Sequence, residues 1–94
     1  MQYDTIIDQG LDILMGIKFK WSGGITVPVR PSLVDQIVRK WGTNSSEPAV
    51  SGVRGELSRL RYHEKDKAKS ELLKSLEDSV KDMAFWQAVQ SRIK

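Results

Sequence analysis

Ninety-four residues, 39% hydrophobic and 29% charged, are enough for one small domain spanning residues 1–94 and exclude a second. The absence of cysteine excludes disulfides, thiolate metal sites and a cysteine nucleophile, and it suits a reducing cytoplasm. The net charge of +3 is uneven: residues 1–16 carry three aspartates and no base, residues 17–69 carry eleven basic and five acidic residues, and residues 70–94 balance four against four.

The opening MQYDTIID has no basic leader, and no apolar run approaches the ~20 residues of a membrane span, so a soluble, non-secreted domain is expected. Residues 4–15 predict a helix, because Tyr3, Ile7, Leu11 and Leu14 recur at helical steps. Asp4 is its expected N-cap and Gly16 its stop. Residues 17–30 predict a β-hairpin. Ile17, Phe19 and Trp21 alternate with Lys18 and Lys20, and after Ser22-Gly23-Gly24 the residues Ile25, Val27 and Val29 alternate with Thr26, Pro28 and Arg30. A three-residue loop pairs Trp21 with Ile25, Phe19 with Val27 and Ile17 with Val29, which puts all six on one face. The other face is basic, and Pro28 marks its strand as an edge.

Residues 32–41 predict a second helix, with Ser32 as cap, Asp35 three positions on, and the stripe Leu33, Val34, Ile37, Val38 and Trp41 ending at Gly42. After the polar loop 43–48, Pro48 opens a third helix whose buried face is Val50, Val53, Leu57 and Leu60. Gly52 and Gly55 each weaken that helix by about 1 kcal/mol relative to alanine and call for close packing or a close ligand. Residues 62–69 are densely charged and predict a bend. The steps from Leu72 and Leu73 through Leu76, Val80, Met83, Trp86 and Val89 to Ile93 predict one long amphipathic helix over about 66–92. The sum is a mainly α (α+β) domain: four helices, a small β-hairpin between the first two, a helix-turn-helix-like pair in the middle and a long C-terminal helix.

The basic middle points to an anionic partner. An apolar helix ending at Gly42, a polar turn and a second helix follow the order of a helix-turn-helix, in which the second helix enters the major groove. That second helix offers Arg54, Ser58 and Arg61 at i, i+4 and i+7, with Arg59 beside them, residue types that reach phosphates and guanine edges. The linker 43–48 exceeds the motif's usual turn of about 3–4 residues. Lys18 and Lys20 on the hairpin resemble in physics a β-wing laid along a phosphate backbone. Duplex DNA is therefore the expected partner, and transcription regulation the expected role.

A protein-binding adaptor or inhibitor is the alternative. It would use the adjacent Phe85 and Trp86, which cannot both face one core line, and the acidic row Asp4, Asp8 and Asp12. A long last helix carrying such an anchor also suits a homodimer. Gly52-Val53-Arg54-Gly55 matches a bare GxxG, the pattern of KH loops that hold RNA phosphates, although no strands follow. The aspartate row could hold a divalent cation but more often is a solvated face. His63 is a lone histidine, and no HExxH, GxSxG or phosphate-cradling glycine loop occurs, so no enzyme, cofactor, metal or small-molecule substrate is expected.

Overall fold

The apolar spacing at the start of the chain produces α1 (Asp4–Met15), which turns Ile7, Gly10 and Leu14 inward. The computed structural model describes residues 3–21 and 24–93. Asp4 is not the cap: Tyr3 takes that position, and Asp4 sits in the first turn, where a carboxylate still meets the positive end of the helix. Gly16 closes the helix in an ordinary right-handed conformation.

β1 (Lys18–Lys20) and β2 (Thr26–Pro28) pair antiparallel in the register that the alternation implies, with Phe19 opposite Val27, Lys18 opposite Pro28 and Lys20 opposite Thr26. The ladder extends beyond the strands, with the Val29 N–H donating to the Ile17 carbonyl at 2.9 Å and the Trp21 N–H to the Ile25 carbonyl at 2.7 Å. The apolar face is graded. Ile17, Phe19 and Val29 are buried, Trp21 and Val27 are half-buried, and Ile25 at the tip is exposed. Ser22 and Gly23 of the expected loop lie outside the described residues, and Gly24 takes a φ of +84°, where a side chain would be strained.

α2 (Pro31–Arg39) starts one residue earlier than expected. Pro31 fills the first turn, where a missing N–H costs little, and Ser32 makes no cap. Asp35 does not complete a capping box either; it accepts a bond from Gln90 Nε2 at 2.7 Å. Gly42, at φ +84°, reverses the chain. Thr43 then organises the turn: its hydroxyl donates to the Lys40 carbonyl at 2.7 Å and accepts from the Ser45 N–H, while its carbonyl accepts from the Ser46 hydroxyl at 3.1 Å.

α3 (Glu47–His63) follows as one continuous helix, so Gly52 and Gly55 lie in its interior and do not form the loop that a KH-like GxxG requires. Gly52 has the close packing that its helix cost demands. A Cβ built there would lie 2.3 Å from Phe19 Cδ2, so the Phe19 ring sits directly on the α3 backbone. Nothing lies within 4 Å of a Cβ at Gly55.

Two expectations give way to packing. The segments before and after Gly42 do not form a helix-turn-helix unit, because α2 packs mainly on α5 and α3 packs on α4 and β1. Helix order in a sequence does not dictate which apolar stripes meet. The expected long final helix is also two helices, α4 (Lys67–Ser79) and α5 (Met83–Ile93), which makes five helices with the two-stranded sheet. Asp66 caps α4 by accepting from the Ala68 N–H. The break at residues 80–82 has three local causes. The Ser79 hydroxyl bonds back to the Ser75 carbonyl, Asp82 Oδ1 accepts from the Ala84 N–H at 3.1 Å as a new cap, and Trp86 Nε1 donates to the Val80 carbonyl at 2.8 Å.

The bend puts α5 between α1 and α2, covered on two sides. Adjacent residues on a helix point about 100° apart, and with cover on two sides both Phe85 and Trp86 are fully buried. Phe85 meets the Tyr3 ring edge-on at a centroid distance of 5.5 Å. The two ends of the described chain are tied together: Tyr3 Oη donates to Asp82 Oδ2 at 2.5 Å, and Arg92 pairs with Asp8. The Tyr3 hydroxyl, together with the Ala84 N–H, holds the Asp82 carboxyl below its ordinary value of 3.8. The same bond, with smaller help from burial, raises the Tyr3 phenol above 10.0.

Candidate nucleic-acid interface

α3 turns Ala49, Val53 and Leu57 into the core. At 100° per residue, the opposite side of the helix presents Glu47, Ser51, Arg54, Gly55, Ser58, Arg59 and Tyr62, all exposed. The predicted contact residues divide on this geometry. Arg54 has no ion-pair partner among the described residues, and Ser58 is exposed one turn further along the same open face. Arg59 bonds to Glu56 Oε2 through Nε at 3.2 Å and Nη2 at 2.9 Å. That pair is on the surface, with the Arg59 side chain 57% exposed, so it opens at a cost of a few tenths of a kcal/mol.

Arg61 belongs elsewhere. Its Nε bonds to Glu77 of α4, whose side chain is only 15% exposed, and this pair ties α3 to α4. Arg61 is thereby removed from the set of groups free to reach a ligand, a correction to the i, i+4, i+7 reading.

The lysine strand lies beside this helix. β1 packs against α3 with Phe19 inward on Gly52, so Lys18 and Lys20, which alternate with Phe19, face outward and are exposed. The structure thus sets the basic strand of the hairpin beside the flank of α3 that carries Gly52 and Arg59, whereas Arg54, two residues and so about 200° on from Gly52, faces the other flank. Tyr62 adds a ring that sequence reasoning missed. It is 85% exposed near the end of α3 and meets His63 edge-on at 5.3 Å. Its signal was available: Tyr62 falls off the Val53, Leu57, Leu60 stripe and stands among Arg59, Arg61 and His63.

The features offered for a protein-binding adaptor are largely taken up inside the chain. Phe85 and Trp86 have no exposed surface, so neither is an interface anchor. The apolar face of α5, which carries Ala88 and Val89 as well, packs within the monomer and is not left open for pairing with a second copy. Of the acidic row, Asp8 is held by Arg92. Among the described residues, no group of three His, Asp or Glu side chains is arranged to hold a metal ion, and no helix is long and apolar enough to cross a membrane. Comparison with protein-family models, with curated proteins and with solved structures finds no match to this chain.

Proposed function

We propose that this protein is a small, non-enzymatic regulatory protein that binds duplex DNA through the joint surface of α3 and β1. The observation that carries the reading is the seat of Phe19 on Gly52. It fixes a strand bearing two outward lysines beside the Arg59 flank of α3, from which the exposed face continues around the helix through Ser58 to Arg54. A helix face of this kind has the width to enter a major groove. Lysines on the adjoining strand then suit the flanking phosphates, which set register and supply most of the salt-dependent affinity. Gly55 and Ser58 keep the centre of the face low, so a backbone or base edge can approach the helix closely.

The test is fluorescence anisotropy with labelled random duplex over a range of salt. Binding should weaken steeply with salt, and Arg54→Ala, Lys18→Gln and Lys20→Gln should each lower the slope of log K against log salt by about 1. Affinity that is unchanged in all three variants, or no binding at low salt, would overturn the reading.

A further inference from the structure

A cleft of about 340 Å³ opens where the turn after α2, the first two turns of α3 and the α4–α5 bend converge. Its chemistry comes from Trp41, Asn44, Glu47, Ser51, Arg54 and Lys81. Two cations from separate segments therefore line one opening. Arg54 has no ionic partner among the described residues, and Lys81 is only 3.8 Å from Asp78 in a pair whose side chains are both more than half exposed. Glu47 and Arg54 lie on one line of α3, seven positions and so about 10 Å apart along the axis. The cleft is bipolar, with a carboxylate at one end of that line and a guanidinium at the other. Trp41 supplies a half-buried flat ring. The wall is set in advance, because Gly42 at φ +84° and the Thr43 hydrogen bonds fix the turn that carries Trp41 and Asn44.

We infer that this cleft binds a small phosphate ester bearing a planar ring, of the nucleoside monophosphate type. Arg54 and Lys81 take the phosphate through charge-assisted hydrogen bonds. The ring lies along Trp41, where an aromatic face stacks on any base. Glu47 accepts from ligand hydroxyl or amino groups, and Asn44 and Ser51 supply further polar contacts. The carboxylate is also what selects: it repels a bare multivalent anion and rewards one whose far end carries donors. Arg54 is shared with the proposed DNA surface, but Trp41, Glu47 and Lys81 are not, so this inference stands independently of that reading.

The experiment titrates the full-length chain with adenosine monophosphate, ribose 5-phosphate and inorganic phosphate, followed by calorimetry and tryptophan fluorescence. Adenosine monophosphate should bind tightest and quench emission. Trp41→Phe should abolish the quench, leaving the signals of Trp21 and Trp86. Lys81→Gln, at an exposed position that cannot unfold the domain, should weaken nucleotide binding about tenfold, the weight of one contact to a charged group. Glu47→Gln should raise the affinity for inorganic phosphate and narrow the discrimination. Lys18→Gln with Lys20→Gln should leave nucleotide binding in place while weakening duplex binding, and Lys81→Gln should do the reverse, so the two proposals can fail separately. Equal affinity for all three ligands, or nucleotide binding indifferent to Lys81→Gln and Arg54→Gln, would overturn the inference.

Discussion

Gly52→Ala and Gly55→Ala are the same chemical change in one helix, three residues apart, and they should shift stability in opposite directions. Both substitutions gain about 0.8–1 kcal/mol of helix propensity, since alanine loses less backbone freedom than glycine. At Gly55 nothing opposes the gain, because a Cβ there meets no atom within 4 Å. At Gly52 the added carbon falls 2.3 Å from Phe19 Cδ2 and 2.8 Å from Cε2 and Cγ. Ordinary contact requires at least 3.4 Å, so the ring must retreat by about 1 Å. The ring cannot swing clear like the end of a flexible chain. It is buried, it is edged by Trp21, and its strand is paired to β2. Overpacking of this kind costs about 1–3 kcal/mol, and three ring atoms in the way place the site near the upper end. The net expectation is about 1–2 kcal/mol of destabilisation for Gly52→Ala and about 1 kcal/mol of stabilisation for Gly55→Ala. For a domain of this size, 1 kcal/mol moves the melting temperature by about 4–8 °C. Urea and thermal denaturation followed by circular dichroism would measure both variants. A Gly52→Ala protein as stable as the parent would refute the claim that Phe19 rests on the helix backbone, and with it the geometry that sets β1 beside α3.

Three further outcomes follow from named contacts. Arg61→Gln should cost about 1 kcal/mol, discounted for the 39% exposure of its side chain, whereas Arg59→Gln should change stability by less than about 0.5 kcal/mol yet weaken duplex binding; equal effects on stability in urea titrations would contradict the assignment of Arg61 to the α3–α4 tie. Trp86→Phe should cost about 2–4 kcal/mol, because it leaves the Val80 carbonyl buried without its donor and removes packed volume, and a loss below about 0.5 kcal/mol by the same method would show the bend does not depend on that bond. The Tyr3–Asp82 bond sets a pH window: the carboxyl is held low, so its contribution is present above the ordinary value of 3.8 and fades as pH falls through the folded value, while the phenol is held high, so its contribution is complete below 10.0 and is lost at higher pH. Asp82→Asn should flatten the acid limb of stability against pH, and an unchanged acid limb would count against the bond.

Much of the architecture was legible because local periodicity dictated it. The register of Phe19 against Val27 followed from alternation around a glycine loop, and the demand for a close neighbour at Gly52 followed from helix propensity alone. The break at residues 80–82 was hidden because a short bend preserves three- and four-residue steps, so Leu76, Val80, Met83 and Trp86 keep their spacing across it. Two clues were present: Asp82 is a capping residue type, and adjacent Phe85 and Trp86 ask for cover on two sides, which a straight surface helix does not receive. The partnership of α2 with α5 could not be read, because contacts across such a sequence separation depend on the whole packing. The loss of Arg61 from the candidate interface had the same origin, since Glu77 comes within reach only once α4 lies against α3.

The placement of α5 between α1 and α2 bears on how the chain matures. Leu33, Val34 and Ile37 emerge during synthesis long before residues 83–93, the segment on which α2 mainly packs. A nascent chain stopped anywhere before that point leaves the apolar stripe of α2 without its main cover, whereas the hairpin already has α3 to rest on. The α2 stripe is therefore covered late, once the segment that carries Phe85 and Trp86 has been made.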